Sequence, residues 1–196
     1  MPSIVDLCNA ALNQLGANTI TALTDETKPA KLCNQRFTFV RDAVMRAHPW
    51  NCLISRVTLS AESSAPAFGF DKQYVLPTDP FCLRVLNLSS LDLVYRVEGR
   101  KILTNESTLN LVYVGRDVDP NNYDTLLTES IIAHLSADLA YPLVGSSSLQ
   151  TQFYNLYQEK LKEARFVDAT EGTPGAISSV TEPGGLQSDV FTAARL

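Results

Sequence analysis

The spacing of apolar residues changes twice along this chain, and those two changes constrain its fold more than any other feature. In residues 3–16 and 29–47, large apolar side chains recur every third or fourth position. From 51 to about 115 they alternate with polar residues in short runs, and from 127 onward the spacing of three to four returns. A helical period cannot lay one face on a core as a strand, and a period of two cannot do so as a helix. The expected fold class is therefore α+β: a four-helix bundle of two N-terminal and two C-terminal helices, with an inserted antiparallel β-domain and an extended C-terminal arm. The segments are 1–50 for the first helices, 51–116 for the β-domain, 117–166 for the last helices and 167–196 for the arm.

Local signals sharpen these elements. Ser3 can cap a helix whose apolar face is Ile4, Leu7, Cys8, Ala11, Leu12 and Leu15, with Gly16 as its stop. A polar link follows, then Pro29 near the start of a helix carrying Cys33, Phe37, Val40, Val44 and Ala47, which ends before Pro49. Strands are expected at 52–60, 72–76, 81–88, 93–98, 100–104 and 108–115, with a hairpin turning at Glu98, Gly99 or Arg100. The third helix carries Leu127, Ile131, Leu135 and Leu139 until Pro142 and Gly145 interrupt it. Ser147 and Gln150 form a capping-box pattern for a fourth helix, whose expected buried stripe is Leu149, Phe153, Leu156, Leu161 and Ala164. Beyond about Val167 the chain turns to Gly, Pro, Ser and Thr and lacks the apolar residues for a core.

Residues able to do chemistry are few and scattered. His134 and Asp138 lie one helical turn apart, could pair, and read as structural, either a satisfied polar pair or a solvent-exposed one; His48 reads as a residue of a helix end. Asp117, Asp119 and Asn121 match the first positions of a calcium loop, but Asn122 stands where that loop needs Gly and Thr128 where it needs Glu, so the segment reads as a polar turn with Asp124 or a neighbour as helix cap. Cys8, Cys33, Cys52 and Cys82 are 25, 19 and 30 positions apart, without a CxxC pair, and read as small buried apolar residues. Arg36, Arg41 and Arg46 step by five along one helix, do not share a face, and read as solvated. VGSSSLQ, residues 144–150, does not fit a nucleophile elbow, and no phosphate-cradling glycine motif occurs. No catalytic residue, metal or cofactor is assigned, and an enzyme is not expected.

Composition narrows the partners. A net charge of -5 has the wrong sign for holding nucleic acid through its phosphates. Charged residues are 19% of the chain, below the roughly 25% of ordinary soluble domains, so much of the surface is expected to be polar but uncharged or covered by other chains. No apolar run approaches the ~18 residues that span a bilayer, and the opening MPSIVDLC lacks a basic stretch followed by an apolar one, so synthesis in a reducing cytoplasm is expected.

Three stretches then carry a resemblance. KLCNQRFTFVRDAVMRAHPWNCLISRVTL, with His48, Pro49, Trp50, Asn51 and Arg56, resembles the helix, His-Pro-Trp-Asn stretch and Arg-containing strand of tail tubular protein A-like head-to-tail adaptors of short-tailed bacteriophages. YVLPTDPFCLRV, from Tyr74 to Val85, is similar to that family's Leu-Pro-x-Asp segment and following strand, and LSADLAYPLVGSSSLQTQFYNLYQEKLKEAR to its paired C-terminal helices. The ending SDVFTAARL resembles one in which an aromatic residue precedes a final Ala-Arg, although Val190-Phe191 stands where Trp is usual. The resemblance implies a structural connector subunit of the virion neck, assembled in the host cytoplasm. About twelve copies would form a ring between the portal protein and the tail nozzle protein, leaving a channel that DNA crosses without specific binding. Another neck component, a stopper or tail-completion protein, remains the alternative. On this reading Val190, Phe191, Ala194 and Arg195 of the arm would bind the portal or a neighbouring copy.

Overall fold

The computed structural model describes residues 2–88 and 93–171. They form a mixed helix-and-sheet protein of two compact units, one built on Met1–Leu53 with Arg116–Val167, the other on Ile54–Gly115.

The first unit is helical. Helix α1, Ile4–Gln14, is fixed at its start by a capping box: Asp6 donates its amide to the Ser3 hydroxyl, and its carboxylate accepts from the Ser3 amide at 2.8 Å. Leu7, Cys8, Ala11 and Leu12 are buried, and Gly16, at φ 65°, ends the helix. The link that follows is more ordered than its polar composition suggests. The Asn9 amide both accepts from Ile20 N–H and donates to Ile20 C=O, replacing the backbone partners a strand would supply and seating Ile20 in the core. Helix α2, Lys28–Ala47, starts from a Thr27 cap and buries Ala30, Cys33, Phe37, Val40 and Val44.

Helix α3, Thr125–Val144, begins with Asp124 accepting from the amides of Leu126 and Leu127. It is apolar nearly all round and packs against both α1 and α2, which is why Leu127, Ile131, Ala133, Leu135 and Leu139 are all buried. Pro142 does not break it. The proline sits in the last turn, where it forgoes one backbone bond, and the stop falls at Gly145, at φ 74°, whose amide donates to Tyr141 C=O at 2.8 Å. Helix α4, Ser147–Thr170, differs from expectation at both ends. Its cap is Ser146, not Ser147: the Ser146 hydroxyl accepts from Leu149 N–H and its carbonyl from Gln150 N–H. Its C-terminal end runs past the expected 166 boundary to Thr170, into the stretch assigned to the arm. Leu161 and Ala164 are buried as expected, but Leu149, Phe153 and Leu156 are half-buried and Tyr157 takes the core position.

Among the described residues the second unit has six strands: β1 Ile54–Leu59, β2 Lys72–Val75, β3 Cys82–Leu88, β4 Tyr95–Glu98, β5 Lys101–Thr104 and β6 Leu109–Gly115. They make two antiparallel three-stranded sheets, ordered β1-β6-β3 and β2-β5-β4. One core joins the inner faces of the two: Tyr74, Ile102 and Leu76 meet Cys82, Leu88, Leu109, Leu111 and Tyr113. Where the sheet passes beneath the Asp79-Pro80 corner the backbone comes very close, and a Cβ on Gly115 would lie 3.1 Å from the Pro80 ring and 3.0 Å from the Ser55 hydroxyl.

Candidate functional site

Helices α3 and α4 of the first unit frame an open cleft of about 370 Å³, lined by His134, Ala137 and Asp138 from α3 and by Gln150, Thr151 and Tyr154 from α4. Helical spacing places His134 and Asp138 on one side of α3. The short Gly145-Ser146 connection folds α4 back, so that Tyr154 and Tyr157 reach His134 from the other side. His134 stacks on Tyr157 with ring centroids 4.3 Å apart and an interplanar angle of 14°, and meets Tyr154 edge-on at 6.5 Å.

The expected His134–Asp138 pair does not form. Asp138 instead accepts two hydrogen bonds from Arg36 on α2, from Nε and from Nη2 at 3.1 Å, a forked geometry that a carboxylate prefers to a single imidazole N–H. Arg36 also lies over the exposed Phe39 ring, 5.8 Å from its centroid. His134 Nδ1 is buried without a hydrogen-bond partner among the described residues. Burial holds the imidazole below its ordinary value of 6.5; Asp138 opposes this and Arg36 adds to it. The cleft thus presents a neutral imidazole, a tyrosine face and a few small polar groups. Its ring contacts and its open shape are geometry that a stacking side chain or ring can enter.

Arg41 is not solvated as its spacing suggested. It is buried and grips Asp42 through Nε and Nη2 at 3.0 and 2.9 Å, and Asp42 also takes Arg116. Two cationic groups on one carboxylate tie α2 to the segment leading into α3. Nearby, burial pushes the Tyr123 hydroxyl up to about 12, with Arg41 opposing; it donates to Asp117 C=O. The calcium-like segment turns its oxygens on itself: Asp117 accepts from Asp119 N–H and Asn122, and Asp119 from Asn121. Three cysteines are buried, while Cys52 is exposed because it lies in the 3₁₀ turn Asn51–Leu53 after α2 instead of on a core face. Cys8 and Cys33 share a thiol hydrogen bond between α1 and α2, which with burial drives Cys8 well above the ordinary thiol range.

The motifs behind the resemblance sit at corners and on strands. His48 caps the C-terminal end of α2 and meets Trp50 edge-on at 5.0 Å, while Trp50 is fully buried and donates its indole N–H to Val44 C=O at 3.1 Å. The Leu76-Pro77-Thr78-Asp79-Pro80 corner is held by Arg100 of the β4–β5 turn, which donates to Pro77 C=O at 2.6 Å and Cys82 C=O at 3.0 Å and lies 3.8 Å over the Phe81 ring. Arg56 and Arg84 are exposed; they pair with Val112 and Val114 of β6, residues two apart, and so share a face of the first sheet. Val190, Phe191, Ala194 and Arg195 lie outside the described residues.

Tyr154, Tyr157 and the Arg36–Asp138 bridge were not read as a group from the sequence. Arg36 and Asp138 are 102 residues apart, and only the fold of α2 against α3 joins them. No family model matches this chain, and no curated protein matches it.

Proposed function

We propose that this chain is a structural head-to-tail adaptor of a bacteriophage, a connector subunit that closes as a ring of about twelve copies between the portal and the tail nozzle. On this reading its helices form a four-helix bundle and residues beyond the last helix bind the portal or a neighbour. The observation that carries it is the chain order: two helices, a β unit whose ends lie side by side, then two helices, with the resembling motifs at structural corners. His48-Pro49-Trp50 turns the chain out of α2, and the Leu-Pro-x-Asp segment forms the corner that Arg100 clamps.

Surface composition supports the same reading. On the helices Phe39, Tyr141, Tyr154 and Phe166 are 68%, 58%, 49% and 64% exposed, which a neighbouring copy would cover. The aromatic cleft between α3 and α4 suits a subunit contact: it is open, shallow and ringed by side chains that stack. The net charge of -5, repeated around a channel, lets DNA slide past instead of adhering.

The test is negative-stain imaging of the purified chain mixed with its cognate portal, with class averages inspected for rotational symmetry. A ring of about twelve seated on the narrow end of the portal is expected. Monomers beside bare portals would overturn the reading.

A further inference from the structure

The two edges of the β2-β5-β4 sheet are treated differently by the chain. The outer edge of β2 is occupied: Glu62 donates its amide to Gln73 C=O at 2.9 Å, the Gln73 side chain donates to Ser64 C=O, and Lys101 holds Glu62 by an ion pair. The outer edge of β4 is open among the described residues. Tyr95, Arg96, Val97 and Glu98 are all exposed, and Val94 before them is 75% exposed.

The turn fixes which backbone groups that edge offers. Glu98 pairs with Lys101 around a two-residue loop, in which Gly99 has φ 58° and no non-glycine residue has a positive φ. A glycine first and a negative φ second fits a type II′ hairpin. The residues flanking such a turn exchange both hydrogen bonds, and pairs then alternate. Glu98–Lys101 and Arg96–Leu103 are therefore the hydrogen-bonded pairs with β5. Tyr95 and Val97 direct their N–H and C=O groups away from the sheet.

We infer that the open edge of β4 pairs antiparallel with β4 of a second copy, about a twofold axis at Val97. Val97 then exchanges both backbone hydrogen bonds with its counterpart. Arg96 falls opposite Glu98 of the second copy, and Glu98 opposite its Arg96, in the positions where cross-strand side chains approach most closely. Tyr95 lies across from Gly99, where an aromatic ring can cover bare backbone. Charge selects this register over its neighbours. A shift that pairs Tyr95 with Val97 sets Arg96 against Arg96, and one centred on Tyr95 puts Val94 opposite Arg96, which leaves that arginine without a charged partner. Neither Arg96 nor Glu98 has a side-chain partner within its own chain among the described residues, so both are available. The product is a continuous six-stranded sheet. Because the contact is isologous it closes on two copies, and it does not rest on the ring reading.

Sedimentation equilibrium of the full chain over a range of protein and salt concentrations tests this. A monomer–dimer equilibrium that weakens with salt is expected. Arg96→Glu places like charges opposite each other at both ends of the contact and should raise the dissociation constant by about tenfold or more. Combining it with Glu98→Arg restores opposite charges and should return the constant to near its starting value. Both positions are exposed, so circular dichroism should be unchanged. A monomer at every concentration overturns the inference and leaves the edge to a different protein, and a dimer indifferent to these substitutions, or not rescued by the double swap, overturns it equally.

Discussion

Asp42 holds two guanidinium groups at once, and the Arg41 side chain beneath it is only 6% exposed. Removing the carboxylate strands a buried cation, the costly way to break an ion pair. Asp42→Ala is expected to lower stability by about 3 kcal/mol, measured as a fall in urea midpoint at constant m; a change within experimental scatter would mean that solvent replaces the carboxylate at the two guanidinium groups. His134 gives a pH-dependent counterpart. Its folded-state value lies below 6.5, so the unfolded chain binds the extra proton first, and stability is full above 6.5 and lost as pH falls from there through the folded value. His134→Phe keeps a ring on Tyr157 without the titration. The wild type should lose stability relative to this variant between pH 6.5 and lower values, and parallel curves would show that the imidazole titrates alike in both states. None of this was legible from residue type. His134 and Asp138 were correctly placed on one side of a helix, but their partners, Tyr157 and Arg36, come from other helices.

At the scale of elements the outcome differs, because caps and periods act locally. Ser3, Thr27 and Asp124 cap their helices through hydrogen bonds to residues at most three positions ahead, and Gly16 and Gly145 end theirs with a positive φ, so each boundary is written within a few residues of itself. All six strands occur within the expected windows, since alternation sets which side chains face the core. The errors share a cause. Ser146 and Ser147 are chemically equal as caps, and Pro142 close to a helix end costs one bond, so packing of α3 and α4 decided what composition left open. The Leu-Pro-x-Asp corner is a related case: its turn residues are visible in sequence, but Arg100, which satisfies its carbonyls, comes from the next hairpin. Arg100→Ala should cost about 2 kcal/mol, the scale of charge-assisted hydrogen bonds, and Arg100→Lys should recover only part, since one ammonium cannot serve the divergent carbonyls and cover Phe81. Thermal unfolding of the two variants measures both, and full recovery by lysine would contradict the clamp.

For the whole molecule, the chain leaves the helical unit at Leu53 and returns at Arg116, and Ile54 pairs directly with Val114. Paired strands lie about 5 Å apart, so the two ends of the β unit are neighbours. Replacing 54–115 by a three-residue Gly-Gly-Ser link should leave helical circular dichroism and a cooperative thermal transition for the remaining helices; loss of both would mean that the helices need the sheet in order to fold. The sequence by itself determined which described segments are helix and which are strand, and so the α+β character of the chain, because periodicity and capping are contacts between near neighbours. It also showed that charge is sparse and chemistry scattered. Tertiary structure alone decided that Arg41 is buried, that Asp138 belongs to Arg36, that His134 stacks in an aromatic cleft, and that among the described residues β4 keeps an open edge while β2 does not. Each of these joins residues distant in sequence, and which distant surfaces meet is set by the packing of whole elements.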